Sequence, residues 1–200
     1  MSGHPMTTDA CSRPMPRHAA RAIRGFTMPE MMVTIAIAAV LAGVAAPSVR
    51  DMVARNRLKS HTSALQTSLM LARTEAIKRQ VRVVVCKSAD QAGCTTAGDW
   101  QQGWIVFLDA NDSASVDAGE TIIEKVGALS GSFILQGTGN LADYVSYTGN
   151  GSAKVTASDN VQTGRFNLCQ TAGGDARQID VFATGRLSFG KEPAPTCPVT

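Results

Sequence analysis

Apolar and polar positions change their spacing twice along this chain, and each change predicts a different element. From Met31 to Val49, nineteen consecutive residues carry no charge, and only Thr34 and Ser48 bear polar side chains. A helix of that length rises roughly 28 Å, just enough to cross a hydrocarbon core. Beyond Pro47 the stretch "SVRDMVARNRLKSHTSALQTSLMLARTEAIKRQ" holds no further proline and no glycine. Its Leu58, Leu65, Leu69, Ala72 and Ala76 recur at spacings of three, four and seven, the stripe of an amphipathic helix. One helix is therefore predicted over about 28–80, roughly 75–80 Å long. It should be apolar on all sides in its first half and on one face in its second.

After Gln80 the period shortens to β runs with turn residues between them. The candidate strands are 81–86 "VRVVVC", 103–109 "GWIVFLD", 120–126 "ETIIEKV", 132–136 "SFILQ", 144–147 "YVSY", 165–169 "RFNLC" and 177–183 "RQIDVFA". Glycine-rich breaks, "GTGN" and "TGNGS", separate some of them. Antiparallel hairpins on one helix predict an α+β fold, a long N-terminal helix packed on an antiparallel β-sheet head. The stripe at 58–76 is then the surface that a sheet covers.

Charge sharpens this division. The net charge of +3 hides a gradient: residues 50–87 carry nine basic side chains against two acidic, and 88–200 carry six against twelve. The body is an acidic head on a basic stalk. A general nucleic-acid binder carries its positive field on the exposed domain, so nucleic acid is disfavoured as a partner. With 200 residues, 44% of them hydrophobic, the chain suits one domain plus an anchoring element.

The basic stretch "RHAARAIR" precedes the apolar run, so the positive-inside rule places the N-terminus in the cytoplasm and the head outside. A cleaved secretory signal fits the small residues of "AGVAAPS", but the apolar run is longer than the usual 7–15 residues and the helical pattern continues past Pro47. A plain bitopic anchor fits the length and leaves Glu30 unexplained, because a carboxylate costs about 2–3 kcal/mol toward the bilayer centre. The positive end of the helix offers Glu30 a simpler role at the interface.

"GFTMPE" followed by about twenty apolar residues resembles the class III signal of type IV pilins and type II secretion pseudopilins. The resemblance implies that a prepilin peptidase cuts after Gly25 and that Phe26, the new N-terminus, is N-methylated. It implies that Glu30, five residues into the mature chain, is the assembly glutamate. Pro47 matches the helix-breaking proline of these proteins and forms, with Gly43, a joint in the helix. Pro29 departs from the large aliphatic residue usual before the glutamate; in the first turn it removes only an amide without a partner.

The remaining chain looks most like the GspH/FimT group. "AAPSVRDMVARNRLKSHTSALQTSLMLARTEAIKRQVRVVVC" resembles its stalk, "WQQGWIVFLDAND" with "GETIIEKV" its central hairpin, and "ATGRLSF" its last strand. The resemblance implies four parts: a leader at 1–25, a transmembrane and filament-core helix at 26–49, an amphipathic stalk at 50–80 and a β head at 81–200. It implies a minor pseudopilin or pilin of the inner membrane, single-pass, with its head in the periplasm and later in a pseudopilus or pilus. Implied partners are other pilins, the prepilin peptidase, an inner-membrane assembly platform and membrane lipid before assembly. Some members act in DNA uptake, and Arg165, Arg177, Arg186 and Lys191 are the candidate contacts here. Ser188 stands where those members have a second arginine.

Five cysteines become four if Cys11 leaves with the leader. Local spacing favours Cys86 with Cys94 and Cys169 with Cys197, among three connectivities, with free buried thiols as the other reading. The loop "DANDSASVDAGE" sets Asp109, Asn111, Ser113, Asp117 and Glu120 at positions 1, 3, 5, 9 and 12 of a calcium loop. Position 6 has Ala114 in place of glycine and the flanks read as strands, so a solvated hairpin loop is expected and no metal or other cofactor. No G-x-S-x-G, Walker or H-E-x-x-H motif occurs, which points away from an enzyme.

Overall fold

The computed structural model describes residues 25–171 and 176–190, and no side chain of residues 44–48. The chain forms two compact units, Met1–Ala46 and Pro47–Thr200. One helix, α1 (Met28–Arg79, 52 residues), contributes to both. Its backbone stays helical through Gly43 and Pro47. Proline has no amide hydrogen, so the carbonyl of Gly43, four residues back, loses its helical donor.

In the first unit every described residue of α1 from Met28 to Gly43 is exposed. Met32, Val33, Ile35, Val40 and Leu41 all keep more than half of their surface in contact with solvent. Among the described residues no helical stretch is long and apolar enough to cross a membrane. Residues 44–48, inside the uncharged run, add no described side chain to that stretch.

In the second unit the predicted stripe is buried: Leu58 is 3% exposed, and Leu65, Leu69, Ala72 and Ala76 are 0%. Thr62 and Ser68 lie on the same face, and both are satisfied. The Thr62 hydroxyl donates to the Leu58 carbonyl at 2.7 Å, and Ser68 Oγ accepts the Trp104 indole N–H at 2.9 Å. α1 ends where Gln80 turns into the left-handed region (φ 54°), with its side-chain amide donating to the Ile77 and Gly149 carbonyls.

Among the described residues the head contains eight strands: β1 (Val83–Lys87), β2 (Trp104–Leu108), β3 (Ile122–Val126), β4 (Phe133–Gly137), β5 (Tyr144–Tyr147), β6 (Gly164–Gln170), β7 (Ala176–Val181) and β8 (Leu187–Gly190). They form two four-stranded sheets, ordered β3-β2-β1-β5 and β4-β6-β7-β8, with every pairing antiparallel. The α+β class holds, and the single sheet of the sequence reading divides into two. The division follows from two pairings between distant segments, β1 with β5 (Val85 opposite Val145) and β4 with β6 (Leu135 opposite Leu168). A short 3-10 turn, Trp100–Gln102, laces the sheets together. Gln101 Oε1 accepts the Leu135 amide of β4 at 3.1 Å, and the Trp100 indole donates to the Leu141 and Ala142 carbonyls.

The main core gathers the α1 stripe with Val83, Val85, Trp104 and Val106 of the first sheet and Leu135, Phe166, Leu168 and Ile179 of the second. A smaller cluster, Val84, Cys86, Ile105 and Phe107, lies on the other face of the first sheet. Cys94, Val116 and Ile122 pack against it, which brings the loops after β1 and β2 over that face.

Candidate assembly site

The segment that the sequence marks for chemistry begins at Gly25. Phe26 is 72% exposed, and a side chain at Gly25 would meet nothing within 4 Å, so this peptide is open to an approaching group. Thr27 stands immediately before α1. Its carbonyl accepts the first helical bond from the Met31 amide at 3.1 Å, and its own amide donates to Glu30 Oε2 at 3.4 Å. That is half of the reciprocal capping arrangement built by Ser/Thr-x-x-Glu. The signal is legible as "TMPE", and the sequence reading passed over Thr27. Among the described residues Glu30 makes no ion pair. One long hydrogen bond leaves most of the acceptor capacity of a carboxylate unused.

The cysteines divide between the described and the undescribed residues. Cys86 and Cys94 form a disulfide, as their spacing favours. Cys169 is disulfide-bonded, while Cys197, its expected partner, lies outside the described residues, as does Cys11. Beside the first disulfide Lys87 is 3% exposed. Its ammonium donates to the Thr96 and Gly98 carbonyls at 3.1 and 2.7 Å and pairs with Asp143 at 2.9 Å. A buried cation is tolerated when each proton has an acceptor.

The polar side chains of the 109–120 loop hydrogen-bond to one another and to the loop's own amides. Asp109, 1% exposed, accepts the Ser113 and Ala114 amides with its two oxygens, each at 3.0 Å. Asp117 accepts from Asn111 and the Ser113 hydroxyl, while Glu120 accepts the Ala110 and Asp117 amides. Burial pushes the Asp109 carboxyl up, against the pull of the two amides, and the nearby Glu120 and Asp112 add to the rise. Hydrogen bonds from Asn111 and Ser113 hold Asp117 below the usual carboxylate range. Asp112 is tied to Arg82. Among the described residues no group of three or more His, Cys, Asp or Glu side chains is placed to hold a metal.

The basic candidates are dispersed. Arg165 pairs with Asp180 at 2.6 Å across β6 and β7. Arg177 stands opposite Leu168, and Arg165 opposite Asp180, so the pleat sends the two arginines to opposite faces of the sheet. The Arg186 guanidinium lies 5.3 Å from the Phe182 ring centroid. Its neighbour Gly185 (φ +72°) cannot carry a side chain, because a Cβ there would sit 2.0 Å from the Gly151 carbonyl oxygen. Lys191 lies outside the described residues. Arg73, which the sequence reading did not single out, fastens this turn to α1 by donating to the Gly151 and Thr184 carbonyls.

A helix whose second half is sealed by two sheets, and whose first half is apolar, open and capped by a carboxylate, defines a subunit of pilin type. The profile of the family described as Type II transport protein GspH matches residues 61–185, and that of the prokaryotic N-terminal methylation motif matches residues 20–46. The chain belongs to the GspH family and is a minor pseudopilin or pilin subunit, a membrane-anchored component that assembles with other pilins. The fold is similar to crystal structures of the type IV minor pilin FimU of Pseudomonas aeruginosa. One crystal form matches with a TM-score of 0.52 at 21% identity, over 68% of this chain and 90% of that one. A second form gives a TM-score of 0.45 at 19% identity, over 66% and 92%. No curated protein matches the chain significantly.

Proposed function

We propose that the chain polymerises through the first half of α1 after removal of residues 1–25. A prepilin peptidase cuts after Gly25, and Phe26 becomes an N-methylated terminus. Before assembly the mature helix sits in the inner membrane, with residues 26–49 in lipid, the N-terminus cytoplasmic and the head periplasmic. The stalk at 50–80 carries the head at 81–200 outward. An assembly platform then passes the subunit into a pseudopilus or pilus.

The reading rests on one observation above the rest: Glu30 stands at the head of an exposed apolar helix and, among the described residues, its carboxylate makes a single 3.4 Å bond. In lipid such a carboxylate is costly. Facing the N-terminal amine of a neighbouring subunit, it gains a charge-assisted hydrogen bond in a medium of low dielectric. The apolar side chains around it are buried in the same step. Extraction from the membrane is thereby favoured by the contact that specifies register. Gly43 and Pro47, which leave a helical carbonyl without its donor, give the helix a place to loosen as it enters the filament.

Mass spectrometry of the mature protein tests the processing step. The expected N-terminal peptide begins with methylated Phe26. A mature chain that retains residues 1–25, or begins after Ala46, contradicts the proposal.

A further inference from the structure

One groove in the second unit takes no part in the proposed assembly contact. It encloses about 460 Å³, a size usual for small-molecule sites, between α1 and the end of the second sheet. Val49, Arg50, Val53 and Arg57 line it from one face of the helix, and Ser132 and Phe133 line it from the sheet. Val49 is 54% and Val53 44% exposed, so a hydrophobic strip lies open along the helix side. Arg50 and Arg57 are exposed beside it, and among the described residues no acidic side chain lines the groove. Arg57 is held over the far wall, where its Nη1 would lie 3.6 Å from a side chain at Gly131.

Two features of the sequence narrow the occupant. Val49 is the last residue of the uncharged run and Arg50 the first charge after it, so the groove begins where a spanning helix leaves the hydrocarbon. Four basic residues, Arg50, Arg55, Arg57 and Lys59, follow the run within ten positions, against Asp51 alone. Four arginines, Arg13, Arg17, Arg21 and Arg24, precede it. In the proposed orientation the downstream cluster lies on the outer side, where the positive-inside rule favours no basic residues, so orientation does not explain it.

We propose that this groove binds an anionic phospholipid of the membrane from which the subunit is drawn. Arg50 and Arg57 hold the phosphate, and the first methylenes of an acyl chain lie along Val49 and Val53. Apolar and cationic side chains set edge to edge fit a molecule whose phosphate and hydrocarbon are joined. The inference rests on the reading that Met31–Val49 lies in lipid before assembly.

The mature full-length chain is reconstituted in vesicles of phosphatidylcholine with a minor share of phosphatidylglycerol. Flotation establishes insertion, and native mass spectrometry counts the lipids retained. The wild type is expected to retain phosphatidylglycerol over phosphatidylcholine by roughly ten- to thirty-fold at low ionic strength, from two arginines at an anionic surface. The preference should fall to near parity in Arg50→Gln/Arg57→Gln and in high salt. The charge-matched control Lys78→Gln/Lys125→Gln, at exposed positions outside the groove, should keep it. Equal retention of both lipids overturns the inference, as does an unchanged preference in the double arginine variant or an equal loss in the control. An unchanged preference with loss of crosslinks to neighbouring pilins assigns the groove to another subunit instead. Failure of the wild type to float with vesicles removes the membrane reading itself, and this inference with it.

Discussion

Both halves of α1 are rich in apolar side chains, and they meet opposite fates. From residue 58 to 76 the stripe is sealed beneath two sheets, with Leu65 and Leu69 fully buried. From 31 to 41, Met32, Ile35, Ile37 and Val40 remain exposed. The contrast lies in the pattern. The second half gives one face to apolar residues and the other to Arg, Lys and Glu, so the chain's own sheets can satisfy it. The first half is apolar all round, and no single face against a sheet could cover it. In the proposed assembly its burial comes from outside the described residues, first from lipid and then from other subunits.

Core truncation probes this contrast most strongly. Leu65→Ala or Leu69→Ala should destabilise the head by about 2–5 kcal/mol, and Ile37→Ala by less than about 0.5 kcal/mol, in denaturant titrations of the full chain. Equal losses would break the comparison. Replacing Cys86 and Cys94 together with serine should cost about 2–3 kcal/mol, because the disulfide closes a short loop. Reductant should cost the wild type more than the variant, because the variant keeps only the disulfide of Cys169 to lose. Ser68→Ala strands the Trp104 indole N–H in the core and should cost about 1–2 kcal/mol by the same titration. A smaller shift of opposite sign is expected from Ala114→Gly. Ala114 sits at φ 56°, a conformation that glycine adopts freely, so the substitution should raise stability by up to about 1 kcal/mol.

The helical half of the fold was legible because its signal is periodic. All five residues of the predicted stripe are buried, and the helix ends at Arg79 against an expected end near 80. The strands were legible for the same reason, most within two residues of their observed limits. Division into two sheets was not, since Val85 opposite Val145 and Leu135 opposite Leu168 are pairings that no local pattern encodes. The candidate basic patch shows the same limit. Arg165 and Arg177 look alike in sequence, and the register of β6 against β7 sends them to opposite faces. Spacing named the first disulfide correctly, because Cys86 and Cys94 are joined by a short loop of the chain itself. Thr27 carries a weaker signal: "TMPE" spells a cap, but the same four residues lie inside the processing motif, whose Glu30 dominates the pattern.

The central claim is that Glu30 specifies how the exposed half of α1 becomes buried. Its most direct test is Glu30→Val, expressed in place of the wild type and followed by site-specific crosslinking in assembled filaments. Valine removes the carboxylate and leaves the segment apolar. The variant should be processed after Gly25 and held in the membrane, with crosslinks to neighbouring pilins reduced by at least about tenfold, the equivalent of one charge-assisted hydrogen bond. Crosslinking at the wild-type level by the processed variant would contradict the claim.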